Sequence, residues 1–164
     1  MLNIKDASSR FIRKGEDLSA ILAVGDFIVV KIFNVTSQNL IDVTMKEPGL
    51  RKVEGGRIIS INSMKVPRVI GKQGSMISLI KRYTNSDITV GQNGLIWLRS
   101  QNPADEFLAE EAIKRVEAQS HLSGLTERIE SFLQEKTGKK VQAQVRETTT
   151  TQENVSASPN GGEQ

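Results

Sequence analysis

Residues 66–83, VPRVIGKQGSMISLIKRY, place the loop Gly71-Lys72-Gln73-Gly74 between two short apolar stretches. Pro67 stands where a helix would begin, and its fixed φ suits the first helical position. After the loop, apolar residues recur with the period of one helix face, and they are Met76, Ile77, Ile80 and Tyr83. The segment therefore predicts two helices joined by a G-x-x-G loop.

The predicted loop is suited to holding a phosphodiester. Glycine has no Cβ, so the backbone at Gly71 and Gly74 can turn sharply and approach a ligand closely. The amides of Ser75 and Met76, at the start of the second helix, are expected to be unpaired and to carry the positive end of its dipole. Residues 65–82 include five basic residues and no acidic one. The spacing matches neither a nucleotide-triphosphate loop nor G-x-G-x-x-G, but on the loop alone a plain helical hairpin is an equal alternative.

The composition excludes several classes of protein and site. There is no cysteine, so disulfides and thiolate metal sites are excluded, and His121 is the single histidine. Because no nucleophile, base and orienting group can be assembled, we expect no enzyme activity, no catalytic residue, no metal site and no cofactor. Residues 18–35, the most apolar segment, are interrupted by Asp26 and Lys31 and do not form a membrane span. No signal peptide is visible, and a cytoplasmic location is expected.

Charge is unevenly distributed along the 164 residues, whose net charge is +3. Residues 51–100 hold nine basic and two acidic residues, whereas residues 101–135 hold eight acidic and three basic ones. The first of these segments is therefore suited to binding a polyanion, and the second is not.

The order of predicted elements indicates an α+β fold. Runs rich in β-branched residues predict strands at residues 27–35, 40–45, 57–62, 87–90 and 95–99. Asn102 and Pro103 predict the start of a helix that ends near Gly124, and a further amphipathic helix runs to about Gly138. Residues 147–164 have almost no apolar content and are predicted to be disordered.

From residue 54 to residue 124, the order is strand, helix, G-x-x-G loop, helix, strand, strand, helix, which resembles the type I KH domain (β-α-α-β-β-α). The resemblance implies that the loop clamps the backbone of about four nucleotides of single-stranded RNA, whose bases lie in an apolar groove. The residues implied as the RNA clamp are Lys65, Arg68, Ile70, Gly71, Lys72, Gln73, Gly74 and Ser75. The walls expected for the groove are Val69, Ile70, Ile77, Ile88 and Val90.

Two further stretches of sequence point to one family among the proteins that contain a KH domain. The turn Gly91-Gln92-Asn93-Gly94, followed by Leu95-Ile96-Trp97, is similar to a G-x-N-G signature of exosome RNA-binding subunits. Residues 1–50 resemble the C-terminal part of the OB-type barrel that precedes KH in those proteins. The whole pattern resembles the archaeal exosome cap subunit, the ribosomal RNA-processing protein four family. The resemblance covers about residues 1–138, and residues 125–146 are predicted to form a C-terminal helix and basic extension.

The family resemblance implies a function and partners. In that family, three cap subunits sit on a hexameric ring that degrades RNA from its 3′ end by phosphorolysis. The implied role is a non-catalytic cap component that binds single-stranded RNA and guides adenine-rich 3′ ends to the exosome ring subunits. A scaffold whose KH module contacts protein rather than RNA remains the alternative. Since the family has a complete barrel, Met1 is expected to begin partway through it, as in a fragment, a late start or a shortened protein.

Several other residues have two interpretations each. Arg10, Arg13 and Lys14 are predicted either to line the RNA path, as barrel loops do in relatives, or to form a solvated loop. Tyr83 and Trp97 are interpreted as core residues rather than as platforms for base stacking, because of their periodicity. A solvated helix face, or less favourably a contact for a basic partner, is predicted for Glu106, Glu110, Glu111 and Glu117.

Overall fold

The computed structural model describes residues 1–8, 12–13 and 15–138 and shows a mixed α+β protein, as predicted. The strands are β1 (Phe27–Ile28), β2 (Lys31–Val35), β3 (Ile41–Thr44), β4 (Lys52–Val53), β5 (Arg57–Ser60), β6 (Asp87–Val90) and β7 (Leu95–Arg99). The helices are α1 (Val66–Ile70), α2 (Ser75–Thr84), α3 (Pro103–Ala118) and α4 (Leu125–Thr137). The tail predicted to be disordered, residues 147–164, and the basic extension after residue 138 lie outside the described residues.

The N-terminal part consists of two antiparallel ribbons, β1 with β4 and β2 with β3. The prediction of one strand over residues 27–35 is wrong, because the strand is interrupted after Ile28, and β1 and β2 pair with different partners. Strand β4 has only two residues and gives no periodic signal. Strand β4, which pairs with β1, lies after residue 50, and the incomplete barrel over residues 1–50 stays a prediction.

The β2–β3 ribbon is little buried. The side chains of Ile32, Phe33 and Val35 are all more than half exposed, whereas Met45, just after β3, is buried. The apolar–polar alternation at residues 40–45 predicts a half-buried strand, but burial in β3 follows that alternation only in part. Within the described residues, no second layer covers β2.

The C-terminal part is built on a three-stranded antiparallel sheet in the order β5-β7-β6. Trp97 in β7 lies opposite Ile58 in β5 and Thr89 in β6. The predicted bounds of β6 and β7 are correct, but β5 ends at Ser60, since the Ile61 amide donates to the Gly94 carbonyl in the β6–β7 turn. Helix α3 ends at Ala118, earlier than predicted, and a short turn leads to α4.

One hydrophobic core joins this sheet to all four helices. The helix α4 contributes Leu125, Ile129, Phe132 and Leu133 to the same cluster as α1, α2 and α3. Tyr83 is buried there, and its hydroxyl donates to Glu130 Oε1 at 3.2 Å and accepts from Gln134 Nε2 at 3.2 Å. Helix α4 thus packs as part of the fold that holds the G-x-x-G loop.

Trp97 is also buried, on the side of the sheet where its Nε1–H donates to the Gly55 carbonyl at 2.8 Å. The interpretation of Tyr83 and Trp97 as core residues is therefore correct. Neither ring is available as an open platform for a base.

Candidate nucleic-acid interface

The G-x-x-G loop is positioned by the entry into α1. Asn62 lies two residues after β5, and its Oδ1 accepts the Met64 amide at 2.9 Å at the start of a single 3-10 turn, Ser63–Lys65. Helix α1 follows with Pro67 in its first turn, at the second helical position rather than the predicted first. The inner face of α1 is anchored by Val66 and Val69, which are fully buried.

The two glycines of the loop have different requirements. Gly71 ends α1 with φ 76° and ψ 173°, and a Cβ there would lie 2.7 Å from both the amide nitrogen and the Cβ of Met76. Gly74 also has positive φ, 77°, but a Cβ there would meet nothing within 4 Å. Between them, Gln73 has φ 53° and ψ 29°, the left-handed region. Gly71 is therefore required by packing, and Gly74 by backbone conformation alone.

The free amides agree only in part with the prediction. The Gly74 amide donates to Gly71 O at 3.2 Å, and the Ser75 amide donates to Lys72 O, because the loop forms a 3-10 turn that runs directly into α2. The prediction of an unpaired Ser75 amide is thus wrong, whereas the Met76 amide, which lies beneath Gly71, has no backbone acceptor among the described residues. Within the described residues, the amides of Lys72 and Gln73 have no backbone acceptor. Two donors are therefore left at the exposed centre of the loop.

The side chains around the loop are cationic and accessible. Arg68, Lys72, Gln73 and Ser75 are exposed, and no carboxylate among the described residues lies within ion-pair distance of Arg68 or Lys72. Lys65 is half-buried instead, and its ammonium donates to the carbonyl of Glu117 in α3 at 3.0 Å. Lys65 therefore also fixes α3 against the start of α1.

The predicted apolar groove is smaller than expected. Val69 and Ile88 are buried in the core, with 0% and 3% of their surfaces exposed, so neither can wall a groove. Val69 follows Val66 by one turn and points to the same inner face of α1. Ile70, Ile77 and Val90 are half-buried at the margin of the core, where an apolar ring can still reach them.

The G-x-N-G turn joins β6 to β7 and also seats the end of β5. The Gly91 amide donates to Leu95 O at 2.8 Å, and Asn93 Oδ1 accepts the Leu95 amide at 3.1 Å. Only Gly94 in this turn has positive φ, 88°, and a Cβ there would lie 2.3 Å from the carbonyl oxygen of Ile61. The signature therefore specifies a close backbone contact within the fold rather than a ligand site.

Comparison with known proteins places this geometry in a family. Residues 56–117 match the KH domain. The chain is 43% identical over 141 residues to Exosome complex component Rrp4 of Thermoplasma acidophilum, covering 85% of this chain and 58% of that relative. It is 49% identical over 119 residues to the protein of the same name in Pyrococcus furiosus, covering 71% of this chain and 45% of the relative. A crystal structure of an exosome complex RNA-binding protein is similar with a TM-score of 0.70 and 34% identity, covering 82% of this chain and 77% of the other.

This chain belongs to the Rrp4 family. The resemblance drawn from the G-x-x-G and G-x-N-G motifs is confirmed, and so is the KH fold. The chain spans little more than half the length of the first curated relatives that it matches.

The basic residues of the N-terminal part are only partly described in this Rrp4-family chain. Arg13 is exposed, and its amide donates to Glu16 Oε2 at 3.0 Å in a local turn. Arg10 and Lys14 lie outside the described residues. A role of these three residues along an RNA path stays a prediction.

The acidic residues of α3 have partners within the chain, so they form more than a solvated face. Glu117 Oε1 accepts the Asn62 amide at 2.7 Å and thereby holds the turn that precedes α1. Glu106 Oε1 accepts the Ser100 amide at 2.9 Å at the start of α3. Ion pairs join Glu110 to Arg57 and Lys114, and Glu111 to Arg115. Sequence spacing indicates the pairs within the helix but not those that reach β5 and the turn.

None of the described helices combines the length and the apolarity that crossing a bilayer requires. Within the same described ranges, no three His, Cys, Asp or Glu side chains are grouped so as to hold a metal ion.

Proposed function

We propose that this chain is a non-catalytic RNA-binding component of an exosome, acting at the cap. The observation that carries the proposal is the loop of residues 71–74: among the described residues, the amides of Lys72 and Gln73 have no backbone acceptor and the side chains of Arg68 and Lys72 have no carboxylate partner. The names of the relatives, exosome components and an exosome RNA-binding protein, support the same role. In this proposal the chain guides adenine-rich 3′ ends to a phosphorolytic ring, with three copies per complex, in the cytoplasm.

The loop is suited to the RNA backbone rather than to the bases. The amides of Lys72 and Gln73, which have no backbone acceptor among the described residues, are two donors for an anion, and successive free amides in turn conformations form anion-binding concavities. The charges of Arg68 and Lys72 add electrostatic affinity that does not depend on the RNA sequence. Because phosphate contacts position a strand without reading it, preference for adenine must come from the apolar margin at Ile70, Ile77 and Val90.

The proposal is tested by changing the two central loop residues and keeping both glycines. A Gly71→Asp variant would overlap Met76 and disturb the fold, so it does not isolate binding. Lys72→Asp/Gln73→Asp is preferable, because both side chains are exposed and Asp tolerates the left-handed region that Gln73 occupies. The readout is fluorescence anisotropy of a labelled oligoadenylate.

We expect the double variant to bind at least about tenfold more weakly, because counterion release no longer accompanies phosphate binding at this loop. The matched control is Thr126→Asp/Lys136→Asp, which changes the net charge equally at two exposed positions of α4. If the control binds like wild type and the loop variant does not, the loop is the clamp. If the folded loop variant binds oligoadenylate as wild type does, the clamp is refuted and the scaffold alternative is favoured.

A further inference from the structure

A second cationic site lies at the other end of α2. A cleft of about 460 Å³ opens beside the first residue of β6, the edge strand of the three-stranded sheet. Its lining residues are Arg51, Lys81, Asn85, Ser86, Asp87, Trp97, Arg99, Ser100 and Gln101. Since α2 has 10 residues, the cleft is about 15 Å from the G-x-x-G loop along the helix axis.

Three cations from distant parts of the chain converge on this cleft: Arg51, Lys81 and Arg99. Among the residues that the structure describes, no carboxylate lies within 4.0 Å of the side-chain nitrogens of these three. Asp87 is the single acidic residue in the lining. The contrast is with six cations whose shortest ion pairs measure 2.6–3.4 Å: Lys31, Lys46, Lys52, Arg57, Lys114 and Arg115.

Two of the three cations are held in place by neutral partners. Arg99 Nη1 donates to the Glu54 carbonyl at 3.2 Å, and the Arg51 guanidinium lies over the Trp97 ring, 5.2 Å from its centroid. Such contacts restrict the side chains without neutralising them. Lys81 lies in the last turn of α2, where the helix dipole favours a cation, but the dipole does not explain Arg51 or Arg99.

The chemistry of the cleft favours phosphate over a base. Trp97 is buried and covered by Arg51, so its face is not free for stacking. The remaining lining is polar, with side-chain donors on Asn85 and Gln101, whereas the Ser100 hydroxyl already donates to the Asn85 carbonyl at 3.2 Å. A site with two guanidinium groups, one ammonium group and neutral donors matches phosphodiester oxygens.

We propose that this cleft binds phosphodiester groups of the same RNA strand that the G-x-x-G loop holds. RNA as the ligand rests on the proposed function, whereas the cleft itself is independent of the loop. A strand bridging the two sites would occupy more than the roughly four nucleotides that a KH clamp contacts. The cleft therefore sets the length of RNA that the chain needs for full affinity.

The experiment measures how affinity depends on RNA length. The variant Arg51→Gln/Lys81→Gln/Arg99→Gln is compared with wild type on oligoadenylates of about four and about twelve nucleotides, since only the longer one can leave the clamp. We expect the variant to bind the short RNA as wild type does and to lose affinity for the long RNA. Because the variant no longer neutralises three phosphates, the slope of log affinity against log salt concentration should be shallower by about 2. Between roughly 50 and 200 mM salt, the affinity of wild type should therefore fall by a factor about twentyfold larger than that of the variant.

Two single variants guard against a change in folding. The Lys81 ammonium has no hydrogen bond or ion pair among the described residues, so Lys81→Gln should not disturb the fold. It should reduce affinity for the long RNA, but by less than the triple variant does. Asp87→Asn removes the acidic group of the lining and should tighten binding of the long RNA only. The matched control is Lys5→Gln/Arg128→Gln/Lys136→Gln, three exposed cations outside the cleft, which should leave the dependence on length unchanged.

The outcomes separate this inference from the proposed function. If the cleft variants bind both RNA lengths as wild type does, the cleft is no RNA site and an acidic protein segment becomes its expected ligand. If they weaken both lengths equally, the effect is general electrostatics and the inference is also overturned. If wild type binds neither RNA, the proposed function fails and the inference fails with it. Loss of both lengths in Lys72→Asp/Gln73→Asp, with loss of only the long one in the cleft variant, supports both.

Discussion

The two glycines of the G-x-x-G loop should respond very differently to alanine. At Gly71, ψ 173° with positive φ is a region that L residues occupy at about 1–3 kcal/mol, and displacing the overlapped Met76 adds about 1–3 kcal/mol. At Gly74 the left-handed backbone alone costs about 1–2 kcal/mol. Each alanine also reduces the entropy of the unfolded chain, which offsets about 0.4–1 kcal/mol. The free energy of unfolding should fall by about 1–5 kcal/mol for Gly71→Ala, with a central value of about 3 kcal/mol, and by about 0–1.5 kcal/mol for Gly74→Ala.

The assay is urea unfolding followed by fluorescence of Trp97, the single tryptophan, which is buried in the sheet that α2 packs against. With a slope of about 1–3 kcal/mol per molar urea, the two midpoints should differ by about 1 M. The slopes must stay equal, since a changed slope would signal an altered denatured state. Equal destabilisation of the two variants, or a larger effect at Gly74, would refute the claim that packing against Met76 distinguishes them.

Three further predictions concern other contacts. Phe132→Ala should lower the free energy of unfolding by about 3–5 kcal/mol in urea, because α4 completes the core. Trp97→Phe leaves the Gly55 carbonyl without its donor and should lower it by about 1 kcal/mol, measured by circular dichroism. The Lys52 ammonium donates to the Asp26 carboxylate at 2.8 Å and lowers the pKa of that carboxyl. The pair therefore stabilises the fold at a pH above the ordinary carboxyl pKa, and this stabilisation is lost as the pH falls through the lowered pKa. Lys52→Gln should raise the Asp26 pKa toward its ordinary value in an NMR titration.

In the C-terminal part, signals in the sequence near each element are sufficient to predict several element bounds. The bounds of β6 and β7, the start of α3 at Pro103 and the position of the loop all follow from alternation, capping and turn residues near each element. The strand predicted over residues 27–35 fails because β-branched composition indicates extended backbone but not where pairing changes partner. Periodicity also placed Val69 and Ile88 on an apolar face without telling core from groove, since burial depends on what packs against that face.

The candidate site could be predicted at the loop and not beyond it. Residues 71–74 and their neighbouring cations are contiguous in sequence, so spacing and charge indicate them. The sequence does not show that the Ser75 amide is paired or that the amides of Lys72 and Gln73 are free, because the 3-10 bond from Ser75 to Lys72 depends on how α1 and α2 meet. The cleft is invisible to sequence spacing, since Arg51 and Arg99 are brought together only by the pairing of the sheet and its preceding linker.

The two glycine motifs carry different kinds of information about this Rrp4-family chain. In G-x-N-G, the overlap that a Cβ at Gly94 would make with Ile61 O shows that the fold itself excludes other residues, whatever the ligand. In G-x-x-G, a Cβ at Gly71 would likewise overlap Met76, so the fold excludes other residues there. The next two residues, Lys72 and Gln73, are exposed, and their amides have no backbone acceptor among the described residues. Gly94 of the G-x-N-G motif is therefore a structural requirement, whereas in our proposal RNA binding depends on the two variable positions of G-x-x-G, Lys72 and Gln73. Substitutions at Lys72 and Gln73 should change RNA affinity at nearly constant stability, and substitutions at Gly71 and Gly94 should change stability first.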